Sequence, residues 1–363
     1  MRKDVFDVEE RPRIRVLWKR GLGNIPFKKP LTFLNVGLKD SGKSTLLECC
    51  ALRYGGEGRI FDLFGSRDNE GLAWGRVISK NEMLFITGDS VQVRGRWNQI
   101  CVKDVYPALL RKNKVVLSVS AFFGDLDEEF YGLDKFMDVL YKKTHWKVPE
   151  LILMREASNY IYARIKKGKH QDEAKADFIY LLRESRHMGY AVGVDTIRWT
   201  SIDKEVRDVS DITFIKRVGT LGLPHDLKFV YRYIAPPALM NPPPEFFAVV
   251  SNRGPIGIGK FDYVEWHKRE KDDLINELGL RFERGEVPDY GDKARGWLSD
   301  HEHGDIITRR QSGTSMHRIA EEIHRSPYTV NSHIKKHNQA VQSKRGYCIK
   351  CRRIKHPFST LEV

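Results

Sequence analysis

Gly37-Leu38-Lys39-Asp40-Ser41-Gly42-Lys43-Ser44 satisfies the pattern G-x-x-x-x-G-K-[ST] at every position. Residues of these types at this spacing bind polyphosphate. The glycines let successive backbone N–H groups turn toward an anion, and a helix starting inside the run adds its positive end. On this reading Gly37, Lys39, Asp40, Ser41, Gly42, Lys43, Ser44 and Thr45 contact a nucleotide. Lys43 reaches the β- and γ-phosphates and the Ser44 hydroxyl holds Mg²⁺. ATP and Mg²⁺ are the implied cofactors.

Hydrolysis needs more than a cradle: an acid to hold the metal and a group to orient water. Glu150-Leu151-Ile152-Leu153-Met154-Arg155-Glu156 is a buried-strand run ending in Arg-Glu, where the Walker B pattern ends in Asp-Glu. Glu156 stands at the water-activating position; the alternative is a strand-end carboxylate paired with an Arg. Arg155 stands at the Mg²⁺ position, where a cation cannot coordinate. Either Ser44, phosphates and water hold the metal, or another acid substitutes, or hydrolysis is weak. Asp62 ends the run Arg59–Phe64, at the kind of strand end where open α/β sheets bind ligands. It is a further nucleotide-binding candidate, with turn capping as the alternative.

A second constellation lies near the C-terminus. Gly313, Ser315, Ile319-Ala320, Ser326-Pro327, Thr329-Val330 and His333-Ile334 resemble the helix-turn-helix of resolvases and response regulators. Ile319, Ala320, Ile323, Val330 and Ile334 would form its small core. The recognition helix would then project Tyr328, Thr329, Asn331, Ser332 and Lys335 toward DNA. A trihelical protein-interaction module is the other reading. Cys348 and Cys351 form a lone CxxC, which is half of a zinc site or a pair of free thiols. His333, His337, His356 or a second chain could complete a zinc set.

These groups must be positioned by regular elements. Apolar runs at Leu31–Val36, Arg59–Phe64, Met83–Thr87, Val115–Val119, Leu151–Met154, Ala191–Asp195 and Asp211–Ile215 read as strands. Amphipathic stretches at Lys43–Tyr54, Lys103–Arg111, Glu128–Lys143 and Asp172–His187 read as helices. The alternation predicts an α/β fold with a mostly parallel sheet and helices on both faces, followed by a small all-α helix-turn-helix domain. The expected divisions are a basic arm at 1–30, an ATPase domain at 31–245 closed by a proline cluster, and a helical linker at 246–296 including a helix at Phe261–Leu280. The helix-turn-helix follows at 297–338, then a basic tail at 339–363.

Composition agrees. The 363 residues carry a formal net charge of +14 and are 41% hydrophobic, enough for a real core and a pointer to a polyanion. Residues 301–363 hold 12 Lys and Arg against 5 Asp and Glu, half of that net charge. No run approaches the ~18 apolar residues of a membrane span. The start has no secretory pattern, and five Cys make no disulfide framework. A reducing cytoplasm is expected, that of the host if the protein is viral, with no membrane partner.

Taken together, the motifs resemble the HerA/FtsK-type branch of P-loop ATPases, especially archaeal and viral members. The phosphate loop, the strand bearing Asp62 and the strand ending at Glu156 carry the resemblance. So does Arg183-Glu184-Ser185-Arg186-His187-Met188-Gly189, followed by a strand and Thr200–Arg207. The likeness spans residues 31–220 and implies a RecA-like core, DNA-stimulated ATP hydrolysis and a hexamer-type ring around double-stranded DNA. It also implies an Arg donated to the neighbouring subunit: Arg186 first, with Arg183 and Arg217 as alternatives. Ile197 stands where the family keeps a sensor Gln, a role Asp195 or Thr196 could take. A nucleotide-switched DNA-binding protein in regulation, partition or replication initiation is the competing reading.

Overall fold

All seven runs read as strands do pair in one sheet. The computed structural model describes residues 13–18, 21–23, 25, 29–54, 58–63, 69–95, 97–105, 113–142, 150–162, 168–254, 256–262, 264, 266, 274–290, 300–323, 325 and 327–342. The expected strands appear as β3 (Thr32–Val36), β4 (Ile60–Leu63), β5 (Met83–Thr87), β8 (Val115–Leu117), β9 (Glu150–Met154), β10 (Tyr190–Thr196) and β11 (Ile212–Ile215). They are mutually parallel, and so is β7 (Gln99–Cys101). Every residue of the seven is buried, so both faces of this part of the sheet are covered. Parallel sheets require that, and the near-continuous apolar runs reflect it.

The helices supply the cover. α1 (Lys43–Tyr54) contacts β3, β9 and β10, while α2 (Leu126–Lys142) and α3 (Gln171–Met188) pack on one another. Gly189 closes α3 in the left-handed region, at φ 79°, its N–H donating to the carbonyls of Arg186 and Ser185. α4 (Lys204–Val209) starts on Asp203, whose side chain accepts the Glu205 N–H at 3.0 Å. Of the helix expected at Lys103–Arg111, residues 102–104 make one 3-10 turn, and 106–111 lie outside the described residues.

Three boundaries differ from the sequence reading. The 1–30 arm is not simply an arm, because β1 (Ile14–Trp18) and β2 (Gly21–Gly23) join the sheet antiparallel. Ile14 and Val16 are buried while Arg15 and Leu17 are exposed, a period of two hidden by its shortness. The proline cluster does not end the domain. Pro236 and Pro237 open the short α5 (Pro236–Met240), where no intrahelical N–H is needed. The chain then enters β12 (Phe246–Ser251) and β13 (Ile256–Phe261), so 246–296 is not a helical linker. Of the helix expected at Phe261–Leu280, residue 266 and α6 (Leu274–Glu277) are helical. Gly259 on β13 permits this edge: a Cβ there would stand 2.3 Å from the Phe247 ring and 2.6 Å from the Arg15 carbonyl oxygen.

Among the described residues the sheet runs β2-β1-β13-β12-β11-β3-β10-β9-β4-β8-β5-β7. β14 (Arg281–Arg284) pairs separately with β6 (Val91–Arg94). Two compact units result, Met1–Pro288 and Asp289–Val363. In the second, α7 (Asp300–Gln311), α8 (Met316–Glu322) and α9 (Pro327–Gln342) enclose Ile306, Ile307, Ile319, Ala320, Val330 and Ile334. The third helix therefore runs past the expected limit at residue 338.

Candidate functional site

β3 ends at Val36, and the chain turns through residues 37–42 into α1. Both ends of this loop are tied down. Gly37 N–H donates to the Thr196 carbonyl at 3.2 Å, and Leu38 N–H to the Arg217 carbonyl at 2.9 Å. On the helix side, Asn35 Nδ2 donates to the Lys43 carbonyl at 2.8 Å. Gly37 must be glycine, since a Cβ would meet Lys216 Cβ at 2.5 Å. Asp40 (φ 56°) and Gly42 (φ 80°) adopt the left-handed conformation that turns backbone N–H groups toward one centre. Lys43 is buried, and its Nζ donates to the Leu38 carbonyl at 3.0 Å, across the loop. Ser41 is buried and its Oγ has no hydrogen-bond partner. Ser44 is half-buried beside buried Thr45, while Lys39 is exposed.

Arg155 does not face this loop. It is 2% exposed and turned inward. Its Nε donates to both Asp62 oxygens at 3.0 Å, its Nη2 to Asp62 Oδ2 at 2.6 Å, and its Nη1 to Glu48 Oε1 at 3.0 Å. Glu70 lies 3.7 Å from Nη1. Burial alone would favour loss of the guanidinium proton; the carboxylates of Asp62, Glu48 and Glu70 outweigh it and hold the pKa well above the usual value. Asp62, the further nucleotide-binding candidate, sits in this cluster. Its carboxylate is buried and accepts from Arg155 and from Trp74 Nε1 at 2.7 Å. Glu48, on the phosphate-loop helix, carried no motif and escaped the sequence reading.

Glu156 follows Arg155 at the end of β9, half-buried and in the left-handed region with φ 44°. Such a conformation is uncommon for a residue other than glycine and tends to occur at functional sites. Its Oε2 accepts from Asn159 Nδ2 at 3.1 Å, and its N–H donates to Asp195 Oδ1. Asp195 sits near the end of β10, the strand between β3 and β9. It is 1% exposed. Burial pushes its carboxyl up to about 6, against the pull of Lys43, of the Glu156 N–H and of Arg155. Thr196 donates to the Arg198 carbonyl at 3.2 Å, and Ile197 is half-buried.

The arginines divide. Arg186 lies at the end of α3, before β10 begins, and β10 runs parallel to β3. It is therefore at the opposite sheet edge from the loop, paired with Asp211. Arg183 pairs with Glu205. Arg217 is beside the loop, its Nη2 donating to the Lys39 carbonyl at 2.6 Å. The structure thus does not bring Arg186 to this chain's own loop. Lys216, unremarked in the sequence, is buried behind Gly37. Its Nζ donates to the carbonyls of Pro244 and Phe246, and burial pushes its ammonium down to about 7. A cavity of about 220 Å³ opens against Gly37 and Leu38, walled by Ile197, Trp199, Val218 and Leu223.

In the three-helix unit, Ser315 caps α8, its Oγ accepting the Arg318 N–H at 3.3 Å. On α9, Val330 and Ile334 belong to the core shared by the three helices. Tyr328 is 81% exposed, Lys335 is exposed, and Thr329, Asn331 and Ser332 are half-buried. Spacing of three, four and seven puts Tyr328, Asn331, Ser332 and Lys335 on one helix face. Cys348 and Cys351 lie outside the described residues, among which no group of three or more His, Cys, Asp or Glu could hold a metal ion. Among the described residues no helix is long and apolar enough to cross a membrane.

No known family profile matches the chain, and no curated protein matches its sequence. Solved structures resemble it at low identity. The genome packaging NTPase B204 from Sulfolobus turreted icosahedral virus 2, in complex with ATP-gammaS, is 18% identical, with 65% of this chain and 98% of that one covered and a TM-score of 0.37. The pCW3 conjugation coupling protein TcpA is 12% identical, with 74% and 71% covered and a TM-score of 0.39. EccC of Thermomonospora curvata is 11% identical, with 70% and 41% covered and a TM-score of 0.36. At these values the likenesses add no weight to any residue's role.

Proposed function

We propose that the chain is an ATP-binding, Mg²⁺-dependent P-loop ATPase acting on DNA, a ring-forming double-stranded DNA motor of the translocating or packaging kind. The observation that carries this reading is the phosphate loop itself. A complete G-x-x-x-x-G-K-S run joins a buried parallel strand to a helix N-terminus, with left-handed turns at Asp40 and Gly42. Lys43 binds the β- and γ-phosphates and stabilises charge as the terminal phosphoryl group leaves. Glu156 orients the attacking water and accepts its proton. The buried, unpartnered hydroxyl of Ser41 beside Ser44 suits a site completed by a ligand. Mg²⁺ on Ser44 would neutralise β- and γ-oxygen charge. The cavity beside Leu38 offers apolar surface to the nucleoside. In a ring, Arg186 would serve a neighbouring subunit, since it lies far from its own loop.

The test is steady-state hydrolysis by wild type and Lys43→Ala, with and without double-stranded DNA. Lys43→Ala is expected to lose roughly 10²–10³ in rate, and DNA to stimulate wild type only. A wild type no faster than Lys43→Ala, even with DNA, defeats the motor reading. Nucleotide binding without turnover would instead support the second reading, a nucleotide-switched DNA-binding protein, which the inward-turned Arg155 favours.

The three-helix unit would grip DNA through Tyr328, Thr329, Asn331, Ser332 and Lys335. Lys335→Ala in the full chain is expected to lower the slope of log affinity against log salt by about 1. An unchanged slope removes Lys335 from the phosphate contacts.

A further inference from the structure

The inward turn of Arg155 leaves the end of β9 without an acid for the metal, and the neighbouring strand has one. We infer that Asp195, on β10, is the carboxylate that holds Mg²⁺ with Ser44, in place of the acid that β9 lacks. This inference rests on the phosphate-loop reading above.

Three observations converge. The first is position. β10 lies directly between β3, which leads into the phosphate loop, and β9, which ends at Glu156. Asp195 is in register with Asn35 on β3. Parallel neighbours in register point to the same face of a sheet. Asn35 donates to the Lys43 carbonyl, so the shared face is the one carrying the start of α1. The charges of Lys43 and Arg155 both act on Asp195. The second is an unmet bonding capacity. Asp195 is 1% exposed, its Oδ1 accepts the Glu156 N–H, and its Oδ2 has no hydrogen-bond partner. A buried carboxylate oxygen left unpaired is costly and calls for a ligand. Asn35 Oδ1 and Ser41 Oγ, flanking the same loop, are likewise buried and unpartnered.

The third is the state of the other acids. Glu48, Asp62 and Glu70 surround the Arg155 guanidinium. Glu128 accepts from the Ser90 and Gly124 N–H groups and Glu129 from the Ser120 hydroxyl. Asp195 has an oxygen to give, beside the residue that grips the phosphates. Its bond from the Glu156 N–H would also couple the metal-holding group to the residue that orients water. Asp195 thus has a different duty from the γ-phosphate sensor that its place on the strand suggests.

The experiment is equilibrium binding of a fluorescent ATP analogue to full-length wild type, Asp195→Asn and Lys43→Ala. Each is titrated with Mg²⁺ and then measured in EDTA. Asn retains the acceptor for the Glu156 N–H and removes only the charge. Asp195→Asn is expected to shift the Mg²⁺ midpoint upward by roughly 10–100-fold. In EDTA it should bind the nucleotide at least as tightly as wild type, because a negative charge near the phosphates is gone. Should the Asn variant fail to fold, Asp195→Ser makes the same comparison. Binding with an unshifted midpoint overturns the inference alone. No binding by wild type, with Lys43→Ala indistinguishable, overturns the phosphate-loop reading and this inference with it.

Discussion

Arg155→Met is expected to destabilise the first unit by roughly 3–5 kcal/mol, the range for removing one partner of a buried ion pair. Arg155 touches Glu48 on α1 and Asp62 on β4, and all three are almost fully buried. Deleting the guanidinium leaves two buried carboxylates close together, with only the Trp74 N–H donating to Asp62 among the bonds described above. Arg155→Asp, which restores the residue usual at this place in a Walker B strand, should be worse, because it adds another carboxylate to the cluster. Neutralising all three together, as Glu48→Gln, Asp62→Asn and Arg155→Met, should recover most of the loss. Denaturant unfolding of wild type and these variants measures this. A single Arg155→Met variant within about 0.5 kcal/mol of wild type, the range of an ordinary surface change, would show that the network is not structural.

Glu156→Gln is the second large effect, and it falls on rate instead of stability. A general base contributes about 10²–10⁴-fold, and Gln keeps the size and polarity of the side chain without its basicity. Hydrolysis should fall by that factor while nucleotide binding persists, in contrast to Lys43→Ala, which loses its grip on the phosphates. The backbone matters as much as the side chain. Glu156 holds φ 44°, fixed in part by its N–H bond to Asp195. Gln preserves that bond. Single-turnover hydrolysis, with binding measured separately, separates the two effects. A Gln variant that hydrolyses at the wild-type rate removes Glu156 from water activation.

Much of the fold was legible because the parallel strands are buried on both faces. Complete burial demands unbroken apolar runs, and such runs stand out against the amphipathic helices between them. The antiparallel edge was less legible. β1 is short and half exposed, and β13 carries a glycine at 259, where Phe247 and the Arg15 carbonyl leave no room for a Cβ. β12 is apolar enough to read as a strand, but it follows five prolines that suggested a boundary. Proline ends an element by removing an N–H, and this does not bear on whether the next element rejoins the same core.

By itself the sequence determined the Gly37–Ser44 turn from strand to helix, because it is built from contiguous residues whose own backbone makes the turn. It likewise determined the strand leading to Glu156 and the three apolar-stitched helices near the C-terminus. Only the tertiary structure decided what the acids do. Asp62 and Glu48 are far from Arg155 in the chain, and their pairing with it comes from the order of strands in the sheet. The same order sets Asp195 between Lys43 and Glu156. A charge's duty depends on what surrounds it in space, and burial removes the water that would otherwise screen the choice. Local pattern marks where a strand ends, while strand order decides which side chains meet there.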